Sequence, residues 1–294
     1  MLQIVKIVAE TRFSRVDRLY LAYNAAISSL IILFAGRIHS WWFFLLCHVL
    51  FALMNILLVR LRSEGRGFFK FLSYWYPILF ILLAFRELHY LIPAINPGDM
   101  DDMLARIDFH LLGVHPTVWL ERITNPILTD IMQVFYCTYY ILPLIVLLPF
   151  YLKGDIRTFQ EVMFGIIFGF FLSYFGYILI PALGPRFHLL HYHKIPLQGK
   201  VLYEFLRDFL NAMELEMRDA FPSGHVEIAL ICVYYAKRYL GNKFFVPVAM
   251  MTAGLTLSTV YLRYHYVTDV LFGFLFFLLA VHYSNRVHHR YRSW

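Results

Sequence analysis

The sequence predicts an all-α fold, a polytopic transmembrane helical bundle of about eight spans. Three observations carry that prediction. Of 294 residues, 60% are hydrophobic and 15% charged, where a soluble domain carries about 25% charged residues, and the mean hydropathy is +0.62. Apolar runs of about bilayer length recur from end to end, with no internal repeat and no low-complexity linker. The net charge of +7 comes without a polar domain to carry it. Basic residues on cytoplasmic loops explain such a charge, and a nucleic-acid partner is excluded because no basic groove can be built.

In chain order, the first 18 residues hold Lys6, Arg12, Arg15 and Arg18 around a short apolar stretch, Ile4, Val5, Ile7 and Val8. That stretch is too short for a signal sequence, so it reads as an uncleaved N-terminus lying on the membrane, with the first span starting near Leu19. Spans are expected at 19–36, 41–59, 71–92, 127–151, 159–182, 226–241, 244–262 and 267–285. The run 226–241 is the shortest, closed early by Lys237 and Arg238. Arg86, Glu87 and His89 fall inside the third span and read as a structural ion pair, with a head-group contact as the alternative. Leu104, Ile107, Leu111 and Val114 recur at helical spacing in 103–119, and Val201, Leu202, Phe205, Leu206, Phe209, Leu210 and Met213 in 200–216. Both read as interfacial amphipathic helices, either packed on the bundle or acting as lids. No mid-span break is expected. Cys47, Cys137 and Cys232 lie far apart within apolar runs and read as small buried hydrophobes. Three parts are expected: a two-span segment 1–70, a membrane catalytic domain 71–285 and a tail 286–294.

Counting Lys and Arg between spans sets the orientation. With a cytoplasmic N-terminus the inner segments hold 16 and the outer ones 9; Arg86, within a span, completes the 26. The bias puts both termini in the cytoplasm. It also puts Arg186, His225 and His265 on one outer face, periplasmic, extracellular or lumenal.

Those three residues belong to the motifs that carry chemistry. Phe221-Pro222-Ser223-Gly224-His225 opens a helix, whose first N–H groups and dipole favour an anion. Ser223 can cap or donate, Gly224 lets a phosphate approach the backbone, and His225 can protonate a departing oxygen. His265 and Asp269 are four residues apart and share a helix face. A carboxylate bonded to one ring nitrogen fixes the tautomer and frees the other as a nucleophile. Arg263 and Arg186 are candidate phosphate clamps, since a guanidinium forks onto paired oxygens. Two imidazoles and a carboxylate beside arginines suit attack on a phosphate ester. The group His188, His191 and His193 has no carboxylate or cysteine at ligand spacing, so no metal site is expected.

Pro222 to His225, followed by Ser258, His265 and Asp269, resembles the second and third motifs of the type 2 phosphatidic acid phosphatase superfamily. Thr259 stands where the third motif has an arginine. Leu179 and Phe187 depart from the first motif, Lys, six residues, Arg-Pro. Pro181-Ala182-Leu183-Gly184-Pro185-Arg186 and Gly113-Val114-His115-Pro116 look more like the branch containing inositol phosphorylceramide synthases. The resemblance covers roughly 105–275. It implies a six-helix phosphatase-like core and a metal-free, cofactor-free reaction on a membrane lipid phosphate. His265 would attack phosphorus, Asp269 would orient it, and Arg186, Arg263, Ser223 and Gly224 would hold the oxygens. His225 would protonate the leaving group and then activate the acceptor: water in a phosphatase, an inositol or lipid hydroxyl in a head-group transferase. A transporter or scaffold is the non-enzymatic alternative. The sequence does not specify the oligomeric state.

Overall fold

The structure is a computed structural model that describes residues 13–64, 67–213 and 217–289. Every regular element among them is helical, and six helices are long and apolar enough to cross a bilayer, seven if one bent pair counts as a single span. The first 12 residues, expected to lie on the membrane, fall outside the described residues. The chain divides into two compact units, Met1–Ile95 and Asn96–Trp294.

The first unit holds α1 (Arg15–Leu33), α2 (Trp41–Glu64) and α3 (Phe68–Ile95). Ser14 and Asp17 cap α1 reciprocally, each side chain accepting the other's N–H. Asp17 also accepts the Arg62 fork of α2, at 2.7 and 2.9 Å, and the Tyr76 hydroxyl of α3, at 2.7 Å. One buried carboxylate thus ties three helices, with its charge compensated as an apolar setting requires. Glu87 finds its partner across helices: its carboxylate lies 2.9 Å from Nε2 of His48 of α2.

The second unit contains α4 (Asp101–Leu112), α5 (Pro116–Trp119), α6 (Pro126–Cys137), α7 (Leu142–Leu152), α8 (Ile156–Leu179), α9 (Pro185–His188), α10 (Tyr203–Met213), α11 (Gly224–Tyr235), α12 (Asn242–Tyr261) and α13 (Val267–His289). Helix α8 is its most buried span and packs on α7, α11 and α13. Small residues on α8 permit this, because a Cβ at Gly165 or Gly169 would meet Tyr235 or Ile231 of α11. Helix α11 continues through a π-turn, Ala236–Leu240, and is shorter than the span length, as its early basic closure suggested.

The run 127–151 is not one straight helix. It bends by 40° at a 3₁₀ turn, Thr138–Tyr140, before α7 restarts at Leu142. Pro143 has no N–H and its ring crowds the carbonyl four residues back, so α6 cannot run through it. The break contradicts the unbroken span expected from hydropathy.

Both amphipathic segments are helices that pack on their own unit. Leu104 and Ala105 of α4 are buried with Ala182, Ala220, Phe221 and Tyr266. Tyr203 and Leu210 of α10 are buried with Tyr136, Tyr261 and Leu262. Carboxylates fasten these helices and their loops by accepting backbone N–H groups. Asp101 takes those of Leu183 and Gly184, and Asp108 takes those of Val267 and Thr268, all at 2.8 Å. Asp130 of α6 takes four, from Lys200 to Tyr203, and so caps α10.

Candidate active site

Three turns far apart in sequence are stitched together by backbone hydrogen bonds. The Arg186 N–H donates to the Arg263 carbonyl at 2.8 Å, that of Ala220 to Ala182 at 3.1 Å, and that of Ser223 to Asp269 at 3.0 Å. Gly184 is needed here, because its φ is +87° and a Cβ would strike the Tyr264 carbonyl. Arg263 adopts φ +67°, costly for a side-chain-bearing residue, and its guanidinium is held at its far end as well.

These turns bring His225 and His265 together, ring edge to ring. Nε2 of His265 lies 3.3 Å from Nδ1 of His225, and both residues are buried. Nδ1 of His265 lies 2.7 Å from the Ala220 carbonyl. A carbonyl only accepts, so Nδ1 of His265 carries the proton and Nε2 keeps its lone pair. The His225 ring stacks on Tyr136 and leans on Tyr139, with centroids at 4.6 and 4.2 Å. Tyr136 comes from the last turn of α6 and Tyr139 from the 3₁₀ turn that follows it. Nε2 of His225 is buried and has no hydrogen-bond partner among the described residues.

Burial, helped by the nearby Arg186 charge, lowers the His265 pKa to about 4 against the pull of the Asp219 carboxylate. The imidazole is therefore neutral across the physiological range. The Arg186 guanidinium lies over Phe187 and Tyr264, 4.6 and 4.8 Å from the ring centroids, and touches Asn211 at 3.3 Å.

Sequence reasoning placed several residues differently. Asp269 was expected to orient His265, but its carboxylate is 3.6 Å from Nδ1 and accepts the Tyr266 N–H at 2.8 Å instead. The Ala220 carbonyl, being nearer, takes the imidazole proton. Arg263 was expected on the phosphate, but its guanidinium bonds the Glu121 carboxylate at 3.0 Å and the Ile195 carbonyl at 2.6 Å. A carboxylate from a distant segment captured it. Ser223, by contrast, takes one of the roles expected of it: fully buried, it caps α11 by accepting the Val226 N–H at 3.5 Å. Gly224 was explained by close approach of a phosphate; a Cβ there would also meet the Tyr177 hydroxyl and Ser173, so packing favours glycine as well.

Ala220, Tyr136, Tyr139 and Glu121 were missed. A backbone carbonyl has no residue signature, and aromatic residues in an apolar run look like core; the only available signal was Pro143 after the tyrosines. The three grouped histidines diverge: His188 meets Asp102 at 3.1 Å, His193 meets Thr117 at 3.1 Å, and His191 stacks on Tyr192.

Long apolar helices and this paired-imidazole centre define a multi-pass membrane protein with a site of phosphatase or phosphotransferase type. Residues 103–283 match the PAP2 superfamily, and the chain belongs to that family. No curated protein and no solved structure matches the chain significantly.

Proposed function

We propose that this protein is an integral membrane lipid-phosphate phosphatase that works through a phosphohistidine at the outer membrane face. The observation that supports this most is the 3.3 Å contact between His265 Nε2, the unprotonated ring nitrogen, and Nδ1 of the second imidazole. In the first step His265 Nε2 bonds to phosphorus and the bond to the lipid oxygen breaks. Protonated His225 gives its proton to that oxygen. In the second step water attacks the phosphohistidine, the P–N bond breaks, His225 takes the water proton, and phosphate leaves. Arg186 and the first-turn N–H groups of α11, set by Ser223 and Gly224, hold the equatorial oxygens. Asp269 anchors the turn that carries His265, and Arg263 braces it through Glu121. All roles fall to side chains and backbone, so EDTA is expected to leave the rate unchanged, while vanadate, a mimic of pentacoordinate phosphorus, inhibits. Loss of activity in EDTA, restored by a divalent ion, contradicts this scheme.

A head-group transferase of the inositol phosphorylceramide synthase type is the second reading. It is favoured by the Pro181–Arg186 turn, the segment that resembles that branch and that Asp101 holds in place. Purified protein incubated with radiolabelled lipid phosphates, with and without inositol or lipid hydroxyl acceptors, separates the two. Free phosphate supports the phosphatase and a new labelled lipid the transferase; neither product from folded protein would falsify both.

A further inference from the structure

A cavity of about 640 Å³ opens beside the turn that carries Arg263. Phe109, Trp119, Tyr192 and Ile195 supply an apolar wall, and each is about half exposed. Arg122 and Lys194 also line it and are exposed, and neither enters an ion pair among the described residues. Glu121, the acidic lining residue, is already engaged: it pairs with Arg263 and accepts the N–H groups of Lys194 and Ile195 at 3.0 and 3.2 Å. The cavity is therefore apolar with two cations that no carboxylate pairs among the described residues, Arg122 lying over the Trp119 ring at 5.9 Å, which matches an amphiphile with a negative head. The Nδ1 of His115, in the same wall, is buried without a hydrogen-bond partner among the described residues.

We propose that this cavity binds the headgroup of an anionic phospholipid, at a site separate from the reacting phosphate. Arg122 and Lys194 hold the phosphate oxygens, and the aromatic wall holds the glycerol and upper chains. Glu121 belongs to the cavity wall and also grips Arg263, two residues before His265, so an occupied cavity steadies the turn that presents the nucleophile. Lipid binding here does not depend on the phosphatase reading; the steadying of His265 does.

Trp119 reports occupancy. In phosphatidylcholine nanodiscs, brominated phosphatidylglycerol and brominated phosphatidylcholine are compared as quenchers of the fluorescence lost in Trp119→Phe. Two cations near the headgroup predict a preference of about thirtyfold for phosphatidylglycerol. The preference disappears in Arg122→Gln with Lys194→Gln, persists in the charge-conserving Arg122→Lys with Lys194→Arg, and persists in His265→Ala. Equal quenching by the two lipids, meaning ordinary annular contact, overturns the proposal. So does a preference that survives neutralisation, or one lost in His265→Ala, which would place the lipid in the catalytic centre. A preference retained by a protein that turns over no lipid phosphate supports the cavity and counts only against the phosphatase reading.

Discussion

At the scale of single residues, the arrangement turns on which nitrogen of His265 holds a proton. The Ala220 carbonyl decides it, leaving Nε2 as the base. The proposed nucleophile is then reactive only when neutral. His265 is protonated below about pH 4 and neutral above it, so the acid limb of kcat/KM rises through about pH 4 rather than near the ordinary histidine value. A pH–rate profile of the free enzyme checks this; an acid limb near 6.5 assignable to His265 contradicts it. His265→Ala and His225→Ala are each expected to lower kcat by about 10³-fold or more while the protein still inserts and folds. The two histidines and Arg186 were legible as chemistry because polar groups at the ends of apolar runs stand out. The destination of the Arg263 guanidinium was not, since Glu121 lies 142 positions away and nothing local links them.

At the scale of elements, carboxylates on amphipathic helices fix the loops. Asp108 accepts two backbone N–H groups and the Thr268 hydroxyl at the start of α13, and it is 1% exposed. Asp108→Ala strands those donors, each costing about 1–3 kcal/mol, so unfolding in detergent should occur at clearly lower temperature. Asp102→Ala, on the same helix, removes only an exposed pair with His188 and should shift stability by less than about 0.5 kcal/mol. Equal shifts would show that the staples do not hold the fold. Apolar periodicity located α4 and α10, because amphipathic spacing is a local property. It did not reveal that their acidic residues point at loops, which depends on tertiary position. The bend at Thr138–Tyr140 was masked by an apolar composition that continues through it, with Pro143 as the only mark.

At the scale of the whole molecule, each of the eight apolar runs corresponds to a helix or a helix pair; six are helices of bilayer length, the bent pair α6–α7 makes a seventh span, and α11 falls short of that length. The proposed orientation puts Lys194 outside and Lys153 in the cytoplasm. In a background lacking the three native cysteines, a cysteine at 194 should react with an impermeant maleimide on intact cells or vesicles of native sidedness, and one at 153 only after permeabilisation. The reverse pattern would invert the membrane face. The central claim is that His265 carries the phosphoryl group between lipid and acceptor. Rapid acid-free quenching of protein turning over a ³²P-labelled lipid phosphate, followed by peptide mapping, tests it most directly. The account predicts base-stable, acid-labile label on the peptide containing His265 and none in His265→Ala; label on another residue, or turnover with no labelled protein at any time, would contradict it.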